Sequence, residues 1–215
     1  MTQITTPNYT ATQRARKVLS QPMADLLKRG EITPKEHGFL TQMVIDMGCG
    51  KGTDARILWE DHNRYILGYD PYNDDYYGEY KGKVQRLPYR AEKIEMVSSQ
   101  LSLAHHNEIP VLITCNFVLN VIESVHWRRQ LVWKILSMAK QGDKVYFSVR
   151  GRNDVDKQAK ESWTKYNDGY MTTRNTFQRG FTKDELKKFI LSCFADAKIT
   201  FQNGNGAWNG IMIQM

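Results

Sequence analysis

The chain has 215 residues, 41% hydrophobic and 25% charged, with a formal charge of +7. This composition can furnish the core of one globular domain, and no apolar run nears the roughly 20 residues that span a bilayer, so no membrane partner is expected. The N-terminal stretch lacks the apolar centre of a secretory signal, and three cysteines (Cys49, Cys115, Cys193) cannot all pair, which together predict a reducing cytoplasm.

The positive surplus lies toward both ends. Residues 150–188 hold ten Lys/Arg against six Asp/Glu, and residues 1–40 hold six against three. Such a surplus suits a solvated surface or a nucleic-acid-binding face. Neither a repeat nor a long Pro/Gly/Ser linker divides the chain. The expected organisation is a basic helical arm over 1–40 and a main domain over 41–215, with a substrate-side insertion near 151–181.

In chain order, residues 11–29 predict a helix broken or bent at Pro22, with Ala24, Leu26 and Leu27 packed and Arg14, Arg16, Lys17, Lys28 and Arg29 solvated. "MVID" at 43–46 predicts a buried strand, and a glycine-rich turn leads into the helical "TDARILWED". "RYILGYD" is a second strand ending at Asp70. A tyrosine-rich acidic loop follows, carrying Asp74, Asp75 and Glu79, and then a helical stretch from Ala91 to His105. "IPVLITCNF" is a strand. The next helix should place Trp127, Leu131, Ile135 and Met138 or Ala139 on one face, stop at Gly142 and give way to the strand "KVYFSV". After a polar segment, Thr182 with Glu185 forms a capping-box signature before a helix whose apolar face is Leu186, Phe189 and Ile190. "AKITFQ" and "GIMIQM" close the chain as strands around a hairpin-like connection. Alternating strands and helices predict an open, mainly parallel sheet covered on both faces.

In such sheets ligands bind beyond the carboxyl ends of the strands. The first strand-to-helix turn is Gly48-Cys49-Gly50-Lys51-Gly52. A dinucleotide fingerprint would need glycine where Thr53 stands, and a P-loop would need Ser or Thr where Gly52 stands. Alternating glycines can instead admit a ligand lying flat on the main chain, with Asp46 available to a cationic group. Asp70, ending the second strand, can accept both hydroxyls of a ribose.

"VIDMGCGKG" and "LGYDPY", with "CNFVLNVIE" ending a later strand, resemble the motifs of the class I S-adenosylmethionine-dependent methyltransferases. The resemblance implies a Rossmann-like three-layer α/β/α fold with about seven strands and S-adenosyl-L-methionine as cofactor. It puts Asp46, Gly48, Cys49, Gly50 and Gly52 around the methionine part, Asp70 on the ribose, Pro71 or Tyr72 near adenine, and Asn116 and Phe117 at the pocket end of the later strand. Over residues 10–190, "TATQRARKVLSQPMADLL", "GCGKGTDAR", "GYDPY", "NFVLNVIE" and "DGYMTTRNTFQRGFTKDEL" also resemble a bacterial family of DNA phosphorothioation-associated methyltransferases. That resemblance implies a nucleic-acid acceptor, DNA favoured; a small-molecule acceptor or a cofactor-binding regulatory protein are the alternatives.

Methyl transfer from a sulfonium depends mainly on alignment, so a strong general base is optional. The [DNS]-P-P-[FYW] motif of DNA amino-methylating enzymes is missing at Asn116-Phe117-Val118-Leu119, and no cysteine follows a proline as cytosine C5 methylation would need. Asn116 and Asn120 are the candidate catalytic residues, holding an acceptor amine or hydroxyl; each equally suits a turn cap. Tyr170, Arg174, Phe177, Arg179 and Phe181 mix stacking surfaces with cations, as an unpaired base and its phosphate would require, or form a structural cover. The adjacent His105 and His106 read as surface residues, and no metal is expected. Cys49, with no histidine or metal partner evident, reads as a small packing residue.

Overall fold

β-branched and apolar runs become strands buried on both faces, and the intervening amphipathic stretches become the helices that cover them. The computed structural model describes residues 17–36, 40–73 and 76–215. In chain order the elements are α1 (Gln21–Lys28), β1 (Met43–Met47), α2 (Thr53–Glu60), β2 (Ile66–Tyr69), β3 (Tyr77–Tyr80), β4 (Lys83–Arg86), β5 (Arg90–Ala91), α3 (Ile94–His106), β6 (Val111–Asn116), α4 (Val125–Met138), β7 (Lys144–Arg150), α5 (Arg152–Ser162), β8 (Thr164–Tyr166), β9 (Gly169–Met171), β10 (Phe177–Gln178), α6 (Lys183–Cys193), β11 (Lys198–Gly204) and β12 (Trp208–Gln214). The expected residues Arg14, Arg16, Asp74 and Asp75 lie outside the described residues, as does the first part of the expected 11–29 helix.

The main sheet has seven strands in the order β11-β12-β7-β6-β1-β2-β5. From β5 to β7 all neighbours pair in parallel, and β12 runs antiparallel to both β7 and β11. Alternate residues of each strand face opposite layers. Ile45, Ile113 and Phe147 meet Val97 and Leu101 of α3, Ile135 and Leu136 of α4, and Leu186 and Ile190 of α6. Val44, Leu112 and Tyr146 join Met23 and Leu26 of α1 and Ala55 and Leu58 of α2. The predicted three-layer fold is therefore present. Among the described residues no helix is long and apolar enough to cross a membrane.

Several local expectations are corrected. Pro22 starts α1 instead of breaking a helix, because its fixed φ and missing N–H suit the first turn. Ala24 is exposed, whereas Pro22, Met23 and Leu26 are buried. On α4 the buried stripe is Arg128, Val132, Ile135 and Leu136, and Trp127 stands 63% exposed. α4 also ends at Met138, before the turn holding Gly142. His105 is no surface residue: its Nε2 lies 2.7 Å from Asp143 Oδ2, and both side chains are nearly buried. The loop after Asp70 contains the β3–β4 hairpin, which among the described residues forms a separate two-stranded sheet. The capping box at Thr182 and Glu185 forms as expected.

The 151–181 segment folds as α5 followed by the small antiparallel sheet β10-β9-β8. Its two ends meet: Gly151 and Phe181 form a bridge, and the Phe181 N–H donates to the Arg150 carbonyl at 3.0 Å.

Candidate active site

β1, β2 and β6 are central neighbours, so their carboxyl ends bring Asp46, the glycine turn, Asp70 and Asn116 to one edge of the sheet. Asp46 is buried at the end of β1. Its Oδ1 accepts a hydrogen bond from Thr114 Oγ1 at 2.9 Å, and Asn116 Nδ2 lies 3.5 Å from the same oxygen. The Asn116 amide is fixed from the other side, where its Oδ1 accepts from Ser148 Oγ at 2.7 Å. Phe117 follows with φ +60°, a left-handed conformation that a side chain adopts at a cost of about 1–2 kcal/mol.

The glycines of the turn all have positive φ: 76° at Gly48, 56° at Gly50 and 69° at Gly52. A Cβ on Gly48 would run into the Val118 side chain, and one on Gly52 would come 2.8 Å from the Arg90 Cδ. Two of the three bare positions are thus required by the protein's own side chains as well as by the turn. The turn is tied to β2 by the Gly48 and Cys49 N–H groups, which both donate to the Tyr69 carbonyl, at 2.7 and 3.2 Å.

Asp70 follows the end of β2, beside the glycine turn. Its Oδ2 accepts from the Gly50 N–H at 2.8 Å and its Oδ1 from the Tyr72 N–H at 2.9 Å. These bonds orient the carboxylate, and an ionised carboxylate has about four acceptor positions, so each oxygen keeps capacity for a hydroxyl. Pro71 and Tyr72 are exposed beside it, Tyr72 at 57%.

Arg90 is the participant that pattern reading missed. It is 1% exposed at the start of β5, and its Nη1 donates to the Gly50 carbonyl at 2.8 Å and to Cys49 Sγ at 2.7 Å. Its Nη2 reaches the Asn73 carbonyl at 3.3 Å, while its buried Nε has no partner among the described residues. The guanidinium thus straps the glycine turn to the loop after β2. The available signal was a charged residue embedded in "LPYRA", directly before a helix. Burial, reinforced by Asp46 and Asp70 and opposed by Arg90, pushes the Cys49 thiol well above its ordinary pKa. A thiol so disfavoured as thiolate is a weak nucleophile.

The remaining expected site residues separate. Asn120 is buried and committed to the 151–181 cover: its Nδ2 donates to Gln178 Oε1 at 3.3 Å, and its carbonyl accepts the Arg179 N–H at 2.8 Å. Phe177 is fully buried, so its ring has no face free for a base. Arg179 pairs with Asp168 and lies 4.2 Å over the Phe181 ring, and burial lowers its pKa. Tyr170 donates to Asp156 Oδ1 at 3.1 Å, a bond that raises its phenol pKa. Arg174 is exposed on the tip between β9 and β10. Of that group, Phe177, Arg179 and Phe181 build the cover, and Arg174 faces outward.

A flat backbone turn, a carboxylate at each of two adjacent strand ends and a polar amide on the third fit an adenosyl sulfonium. Asp46 suits its cationic end, Asp70 its ribose, and the turn supplies the surface between. Fold and site together define a class I S-adenosylmethionine-dependent methyltransferase.

The sequence profile of the methyltransferase domain matches residues 12–190, and the chain belongs to that family; S-adenosylmethionine is its cofactor. No curated protein matches the chain. Among solved structures it is similar to a SAM-dependent methyltransferase from Methanosarcina mazei, with TM-score 0.58 and 14% identity over 92% of this chain and 98% of that one. A SAM-dependent methyltransferase from Anabaena variabilis gives TM-score 0.56 and 16% identity over 100% and 98%. Another, from Clostridium acetobutylicum, gives 0.51 and 10% over 93% of each. At these identities the likeness concerns the fold.

Proposed function

We propose that this methyltransferase acts on nucleic acid, with DNA or a modified base within it as the acceptor. The observation that carries the reading is the charge sorting on the cover beside the site. Three of its carboxylates are engaged: Asp154 pairs with Arg150, Asp156 accepts from Tyr170, and Asp168 binds Arg128 and Arg179. Lys157, Lys160, Lys165 and Arg174 are exposed. A segment with a modest net charge in sequence thereby presents a cationic exterior, which favours a polyanion. The resemblance to the phosphorothioation-associated family supports DNA over RNA.

When bound, S-adenosylmethionine supplies a methyl group on a good leaving group. The chain's own part is alignment and exclusion of water. Asp70, held by two backbone N–H groups, fixes the ribose end. Asn116, anchored by Ser148, keeps a lone pair on Oδ1 to hold an acceptor N–H or O–H. Asn120 acts at one remove, pinning the cover over the turn after β6.

A small-molecule acceptor is the second reading, favoured by that same pinning, because Gln178 and Arg179 of the cover bond Asn120, four residues beyond Asn116. Incubation with methyl-labelled cofactor and separate DNA, RNA and metabolite pools distinguishes them. Label in DNA is the expected result. Label confined to metabolites would overturn the nucleic-acid acceptor, and label left on the cofactor with every pool would overturn transfer to these acceptors altogether.

A further inference from the structure

α4 and α6 lie side by side in one helical layer, on the sheet face that also carries α3. Their inward stripes are accounted for by the core; their outward faces are unusual. α4 exposes Trp127 at 63% and Trp133 at 58%, together with Arg129 and Lys134, and has no carboxylate anywhere along its length. α6 exposes Lys183, Lys187 and Lys188, with Asp184 the only exposed carboxylate on either helix, since Glu185 is drawn off by Arg152. None of these five cations is in a salt bridge among the described residues. Where the two helices meet, α6 turns Phe189 and Cys193 toward the core, and burial raises the Cys193 thiol pKa.

A merely solvated face would gain from i,i+4 Glu–Lys pairs of about 0.2–0.5 kcal/mol each, whereas Lys183 and Lys187 are like charges at that spacing. Exposed tryptophan is also expensive in solvation unless something covers it, and Trp is enriched where partners bind. Both helices begin near the site end of the sheet. α4 begins after Ser124, its N-cap, which closely follows the turn after Asn116, and Trp127 sits in its first turn. α6 begins after Phe181, which bridges Gly151 at the end of β7. Trp133 lies about 9 Å further along α4 and about 120° round it, so the two rings stand on either flank of the outward face.

We propose that the outer face of α4 and α6 is a docking platform for single-stranded or locally unpaired nucleic acid, with Trp127 and Trp133 stacking on bases and Arg129, Lys134, Lys183, Lys187 and Lys188 holding phosphates. It rests on the nucleic-acid reading above and names the surface by which that substrate is held. The face is complementary to a polyanion in charge and to bases in its flat rings.

The test is fluorescence anisotropy of a labelled oligothymidine of about 30 nucleotides, titrated with the full chain between about 50 and 300 mM salt, the range over which counterion release separates the models. Lys187→Glu/Lys188→Glu and, separately, Trp133→Ala are compared with wild type. Wild type should bind with a steep negative salt slope. The double charge reversal should weaken binding at least about tenfold and flatten the slope by about 0.7 for each phosphate no longer neutralised. Trp133→Ala should weaken binding about 5- to 150-fold with the slope unchanged, as expected for the removal of stacking. The thermal shift with S-adenosylhomocysteine reports folding and cofactor binding in every variant and should match wild type.

If wild type binds and both variants bind equally well, the platform is overturned and the acceptor reading stands. If wild type ignores oligonucleotide at every salt, the reading itself fails. Tighter binding of polyglutamate than of oligothymidine, with the same dependence on Lys187 and Lys188, would assign the face to an acidic protein and overturn the proposal.

Discussion

Gly48→Ala tests the reasoning about the glycine turn. At φ +76° the added methyl incurs the left-handed penalty of about 1–2 kcal/mol. It also collides with Val118, and overpacking of this kind adds about 1–3 kcal/mol. The sum is about 2–5 kcal/mol. For a domain of this size each kcal/mol moves Tm by about 2–4 °C, so a drop of about 4–20 °C is expected in a thermal melt. The two contributions separate in a double-mutant cycle with Val118→Ala, which makes room for the methyl but leaves φ unchanged. Part of the stability should return in Gly48→Ala/Val118→Ala, with a coupling of about 0.5–3 kcal/mol between the sites. The melt should be repeated with S-adenosylmethionine, whose stabilisation should shrink in the single variant because the turn is displaced. A Tm within about 1 °C of wild type, or strict additivity in the cycle, would refute the account.

Three further outcomes follow from the same geometry. Arg90→Met removes the strap between the turn and Asn73 and should raise KM for the cofactor more than it lowers kcat; Arg90→Lys should not rescue it, because one ammonium cannot span Cys49, Gly50 and Asn73 as a planar guanidinium does. Asp70→Ala should weaken both S-adenosylmethionine and S-adenosylhomocysteine in calorimetry, and an unchanged Kd for either contradicts the ribose role. Glu123 has a buried oxygen without a partner among the described residues, and burial raises its carboxyl pKa. Its contribution to stability is therefore complete below the unfolded carboxylate pKa and lost as pH rises through the folded one. Glu123→Gln should accordingly raise Tm at about pH 7.5 and have little effect near pH 4, as melts at the two pH values will show.

The layers were legible because burial on both faces leaves an unbroken apolar run, and each such run, from "MVID" to "GIMIQM", is a strand of the main sheet. The turn and Asp70 were legible because they are local: a strand, bare backbone and an acid at a strand end lie close together in sequence. What escaped depends on partners far along the chain. Arg128 occupies the buried stripe of α4 because Asp168, 40 residues on, takes its guanidinium with both oxygens at 2.7 Å. Helical periodicity alone gives that inward place to Trp127. Arg90 is buried because Cys49, Gly50 and Asn73 converge on it, and no spacing rule anticipates three contacts of that kind. Phe177 reads as a stacking ring beside cations, and becomes core because β10 folds over β9 and turns that ring inside.

The meeting of Gly151 with Phe181 has an evolutionary corollary. A segment that leaves and re-enters at one point closes a loop in the parent fold of almost no span, and each doubling of the length between adds only about 0.6 kcal/mol of closure entropy. The exposed tip between β9 and β10 can therefore be lengthened or exchanged at little cost, whereas Asp168, Phe177 and Gln178 are held to the frame through Arg128, the core and Asn120. The sheet and the exposed tip of this segment are free to diverge at different rates.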